Sequence, residues 1–211
     1  MNRIWLFIII FFLISIIPTF ASTSKYDFSD SINNKAYNDT PNTDFPPLWG
    51  SNVWDGVECP DYSLLTDIDA NYFYGKSDGN NKEPYTRFNY TINEDETDIN
   101  WIYVLVTGSI SWGGGEDGQC YLADFSTSTW FDLGWDMSIN KNHTYNVTSN
   151  MGNYIDDGNK QLVVLCIGKN LDPSDGGVAI NYAETLVGYT PAISQYCTGS
   201  DPYPYTGGDW V

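Results

Sequence analysis

Apolar residues in this chain recur with the two-residue period of a strand. They come in short runs separated by turn residues, and no segment sustains the period of a helix. Trp101 to Ser111 carries the strongest signal. Ile102, Val104 and Val106 fall on one face, and Trp101, Tyr103 and Leu105 on the other. Both faces are apolar, which predicts a central strand covered on both sides. Further strands are expected at Asn71–Lys76, Tyr85–Thr91, Gln119–Phe125, Thr129–Gly134, Thr144–Thr148, Gln161–Gly168 and Val178–Tyr189. Turn signals separate them, among them Asp78-Gly79-Asn80-Asn81, the run Gly113–Gly118, and Asp157-Gly158-Asn159. About eight short strands at such spacing predict an all-β antiparallel sandwich or barrel.

The N-terminus points to export. Arg3 precedes an apolar run from Ile4 to Ile17, and small residues stand at Thr19 and Ala21. That order is a secretory signal peptide over residues 1–21, and the run falls short of the roughly 18 residues that span a bilayer. No second run of this kind occurs further along, so no membrane span is expected after cleavage. Residues 22–47 are polar without an apolar period and read as an extended N-terminal arm; residues 48–190 form the sandwich domain, and 191–211 a Pro- and Tyr-bearing tail.

Export gives the four cysteines a meaning. An even count in a secreted chain reads as two disulfides with three possible connectivities. Cys120 and Cys166 both sit in strand-like segments, which favours their pairing and leaves Cys59 with Cys197. Four glycosylation sequons open at Asn38, Asn89, Asn142 and Asn146. Nine Lys and Arg stand against 27 Asp and Glu, a net charge of −18 that repels nucleic acid and anionic lipid.

Candidate chemistry is sparse. Asp67, Asp69 and Asn71 alternate as calcium ligands do, but Tyr72 occupies the place where an EF-hand loop needs Gly. A structural Ca²⁺ site on Asp67 and Asp69 is the remaining metal expectation. The turns Asp156–Asn159 and Asp172–Gly177 are explained by turn chemistry. The sole histidine, His143, falls on a predicted loop inside a sequon, and Glu184 and Asp124 are the acids well inside strands, without a hydrolase motif around either. No enzyme activity is expected. Trp101 and Trp130, being inside strands, read as core. Trp112 and Trp135, at strand ends beside loops, are the candidates for stacking a glycan, and Trp49 and Trp54 flank a Gly-Ser-Asn turn.

The run Thr66–Tyr74, the strand Ile99–Gly108, the hairpin end Ser128–Gly134 and the closing strand Ala179–Val187 together resemble the galactose-binding-like jelly-roll modules of secreted and cell-surface proteins. The likeness covers residues 60 to 190. It implies a jelly-roll that binds glycans or serves as a structural piece of a surface protein. The expectation is therefore a secreted structural or adhesive protein of the cell surface, such as a sheath, filament or surface-layer subunit. Its partners would be further copies of itself or surface glycans. The alternative is a carbohydrate-binding module or lectin.

Overall fold

The structure is a computed structural model that describes residues 21–29, 32–39, 47–50, 52–66, 72–76, 84–110, 118–137, 140–168 and 177–191. The described strands all belong to one compact unit, Ala21–Thr190. They are β1 (Ser22–Tyr26), β2 (Lys35–Asp39), β3 (Val57–Glu58), β4 (Phe73–Lys76), β5 (Tyr85–Thr91) and β6 (Ile99–Ile110). They continue with β7 (Gly118–Asp124), β8 (Thr129–Asp132), β9 (Lys141–Val147), β10 (Gln161–Gly168) and β11 (Gly177–Tyr189). Four single turns of 3₁₀ helix punctuate them, and no α-helix occurs among the described residues.

Two antiparallel sheets pack as a sandwich. One runs β1-β11-β6-β9, with β4 also pairing β11; the other runs β3-β2-β5-β10-β7-β8. Their facing sides make one core. Ile102, Val104 and Val106 of β6 and Val178, Ile180, Ala183 and Val187 of β11 meet Phe88 and Tyr90 of β5, Leu122 of β7, and Leu162 and Val164 of β10. In β11 the buried Val178 and Ile180 precede an irregularity, and the buried Ala183, Thr185 and Val187 alternate after it. The register shift between Ile180 and Tyr182 resets the alternation and keeps the apolar side inward along a 13-residue strand.

The sheets differ in their outer faces. The six-stranded sheet buries both: Val53, Tyr85, Tyr121, Leu165 and Ile167 form a second, smaller core with Trp54 and Trp130 against it. This explains why β5 and β10 are buried almost throughout. On the five-stranded sheet, Trp101, Tyr103 and Leu105 of β6 are only half-buried. The expectation that β6 is covered on both sides thus applies instead to β5 and β10.

The segment 22–47, expected as an extended polar arm, instead supplies β1 and β2, one to each sheet. Ser22–Tyr26 pairs with Thr185–Tyr189, and Lys35–Asp39 with Tyr85–Asn89. Backbone pairing carries these strands; their side chains bury little besides Tyr26 and Ala36, while Phe28 between them anchors the crossing by packing on Tyr62, Phe88 and Tyr90. Residues 1–20 and 192–211, which fall within the expected signal peptide and tail, lie outside the described residues.

Candidate functional site

Cys120 and Cys166 are disulfide-bonded. They are direct register partners on β7 and β10, both fully buried on the inner face. Cys59 is buried with a free thiol that donates to the Asp61 carbonyl, and burial pushes that thiol's pKa up. Cys197, expected as its partner, lies outside the described residues, as do Asp67, Asp69, Trp112 and the turn from Asp172 to Gly176. Among the described residues no group of three or more His, Cys, Asp or Glu is placed to hold a metal.

The four sequons are not equivalent. Asn89 is only 8 % exposed; its Nδ2 donates to Gln161 Oε1 (3.1 Å) and its Oδ1 accepts from Arg87 Nε (3.1 Å). Asn38 is half-buried and its Nδ2 donates to the Tyr74 carbonyl at 2.9 Å. Asn142 and Asn146 are exposed on β9, four residues apart on one face of a strand that ends the five-stranded sheet. Neither sequence spacing nor strand assignment separates these two from the others, since Asn38 lies on β2 and Asn89 on β5; burial does.

Several side chains expected at the surface turn inward, and the reverse. His143 sits on β9 rather than on a loop, buried and packed on Trp135 at a ring distance of 5.7 Å. Trp135, expected as an exposed stacking ring, is 8 % exposed because its indole N–H reaches back to the Thr144 carbonyl at 3.0 Å. It lines a recess together with Gly118, Gln119, Gly134 and Asp136. Trp101 and Trp130, expected as core, are half-buried on the outer faces. Of the two strand acids, Glu184 accepts from Tyr182 Oη and pairs with Lys25 at 3.0 Å, while Asp124 accepts from Ser126 and Thr127 in the β7–β8 turn. Asp156 caps its own turn through Gly158 and Asn159.

Two surfaces remain with distinctive chemistry. The first lies on the segment 47–58, which crosses the outer face of the six-stranded sheet. Arg87 reaches up from β5 and donates through Nη1 to the carbonyls of Val53 (2.6 Å) and Asp55 (3.3 Å). Its guanidinium also lies over Tyr37, 4.4 Å from the ring centre. Burial lowers its pKa from the usual range without neutralising an arginine. Tyr85 adds a hydroxyl bond to the Asp55 carbonyl. So anchored, the segment packs Trp49 and Trp54 against Trp130 and Phe125. It also leaves two large apolar side chains in water, Leu48 (59 % exposed) and Val57 (68 % exposed). Val57 belongs to β3, the last strand of its sheet.

The second surface is an open groove of about 570 Å³ on the outer face of the five-stranded sheet. Its walls are Trp101, Tyr103 and Leu186, with Asn100, Asn146 and Thr148 as polar neighbours. Trp101 stands opposite Gly188 in register, and a Cβ on that glycine would come within 2.0 Å of the indole. The glycine therefore allows the ring to lie against the neighbouring strand. No protein-family model matches this chain, and no curated protein matches it either.

Proposed function

We propose that the protein is a secreted structural or adhesive component of the cell exterior, a sandwich that offers surface rather than chemistry. The observation that carries this reading is the segment 47–58. It is fastened to the domain by Arg87 and Tyr85, yet it holds Leu48 and Val57 out in solvent beside an aromatic cluster and an end strand. Apolar side chains held in water on a fixed support gain free energy when a docking neighbour covers them. A terminal strand also leaves backbone donors and acceptors that a neighbour can pair with.

Several features support the setting. The leader-like N-terminus and the Cys120–Cys166 disulfide suit an oxidising exterior. The likeness to galactose-binding-like jelly-rolls is compatible with such a role, and the occupant we favour for the contact surface is another copy of the chain. Negative-stain electron microscopy of the secreted protein tests this. Ordered multimers or sheets that disappear in Leu48→Ser/Val57→Ser support it, and isolated particles at every salt and calcium concentration refute it.

A second reading, saccharide contact, is favoured by one observation: the groove bearing Trp101 and Tyr103 has the flat apolar wall and amide neighbours that a sugar ring uses.

A further inference from the structure

We infer that the groove formed by Trp101, Tyr103 and Leu186 is the cradle of the chain's own glycan, carried on Asn146. The occupant is tethered to the wall of the site it fills. Asn146 and Thr148, first and last residues of one sequon, both line the groove. Asn146 is the direct register partner of Tyr103 across the β6–β9 pair. Side chains facing each other so on one face of a sheet stand about 5 Å apart at Cβ. A sugar on Asn146 Nδ2 thus begins beside the Tyr103 ring, with Trp101 two residues along the same face and Leu186 opposite Tyr103 on β11. The volume of about 570 Å³ lies within the about 300–1,000 Å³ common for small-molecule sites.

The other sequons lack this arrangement. Asn142 is equally exposed, but it faces Thr107, whose hydroxyl donates to its Oδ1 at 2.8 Å, and it is not part of the groove wall. In Asn89 and Asn38 the nitrogen that would carry the sugar is donating inside the domain, to Gln161 and to the Tyr74 carbonyl. The attachment is a substitution without redox change. Asn146 Nδ2 forms a bond to C1 of the first sugar of a lipid-pyrophosphate-linked oligosaccharide. The C1–O bond to the pyrophosphate breaks, the lipid pyrophosphate leaves, and the amide loses one proton. The cradle does not depend on the contact surface at 47–58, so either can fail alone.

The test is made on the full chain secreted from yeast, where the first sugar is an N-acetylglucosamine. Glycopeptide mass spectrometry is expected to find Asn146 occupied. In the intact glycoprotein the N-acetyl methyl protons of that first sugar should be shifted upfield by the indole and phenol rings, with cross-relaxation to Trp101. Trp101→Ala and, separately, Tyr103→Ala should return that signal towards its position in a free glycopeptide. Asn146→Gln should lower Tm, because the aromatic wall is uncovered. Any one of three results overturns the inference: an unmodified Asn146, an occupied Asn146 whose sugar signals match the free glycopeptide, or a glycosylated protein that still binds added oligosaccharide through Trp101.

Discussion

Breaking the Cys120–Cys166 bond is the perturbation whose size can be worked most directly from the structure. The bridge joins register partners on β7 and β10 and closes a loop with a sequence separation of 46. In the chain-entropy treatment, a loop of that length removes about 4 kcal/mol of freedom from the unfolded chain. Cys120→Ala/Cys166→Ala gives that up and also thins the packing around two fully buried sulfurs, so about 4 kcal/mol is a lower figure for the total. With a urea dependence of about 2 kcal/mol per molar, the unfolding midpoint should fall by about 2 M. Urea titrations followed by tryptophan fluorescence, oxidised wild type against the double variant, provide the measurement. A loss below about 1 kcal/mol, with an unchanged slope, would show that the bridge does not restrain the unfolded chain. Cys59→Ala serves as control: its thiol bonds only two residues along the chain and should cost far less.

Three further outcomes can be checked. Burial raises the phenol pKa of Tyr26, Tyr62, Tyr85, Tyr90 and Tyr121, and Tyr26 and Tyr62 also donate to Glu94 and Glu58. A raised folded-state pKa means stability is complete below the unfolded value of about 10 and is lost as pH climbs past it. Tm should therefore fall steeply above about pH 10, with these five phenols ionising only on unfolding; a folded protein in which these five titrate near 10 would refute this. Arg87→Leu removes the guanidinium donor from the Val53 carbonyl and one of two donors from the Asp55 carbonyl, and should cost about 3 kcal/mol, with new protease cleavage within 47–58; an uncleaved segment would count against the anchoring role. Gly188→Ala drives the Trp101 ring off the sheet, costing about 1–3 kcal/mol and shifting its fluorescence to the red; an unchanged spectrum would show that the ring does not rest there.

The strands with alternating or continuous apolar residues were legible from the amino-acid pattern. Tyr85–Thr91 and Gln161–Gly168 fall where that pattern places them, and the pairing of Cys120 with Cys166 agrees with their places in strands. Ser22–Tyr26 and Lys35–Asp39 were not legible. Strands like these are specified by the open edge of β11 and by the flank of β5, which their own side chains do not encode. Lys141–His143 hid the start of β9 for a related reason: an end strand with one wet face alternates polar with polar, and His143 fills an inward place usually held by an aliphatic residue. The surfaces were harder still. Two apolar faces on β6 read as two covered faces, because periodicity reports which residues share a side but not what lies over them. Trp135 looked exposed from its place beside a loop, and only the reach of its N–H to Thr144 turns it inward.

If the segment 47–58 is where copies of the chain meet, self-association must run through Leu48 and Val57, the two apolar side chains it leaves in water. Sedimentation equilibrium of the secreted protein over a wide concentration range reads this without further assumptions. The mass should rise with concentration in the wild type, and a single monomer mass should be found in Leu48→Ser/Val57→Ser with the fold intact by circular dichroism. A wild type that stays monomeric throughout, or a variant that associates as strongly as the wild type, would contradict it.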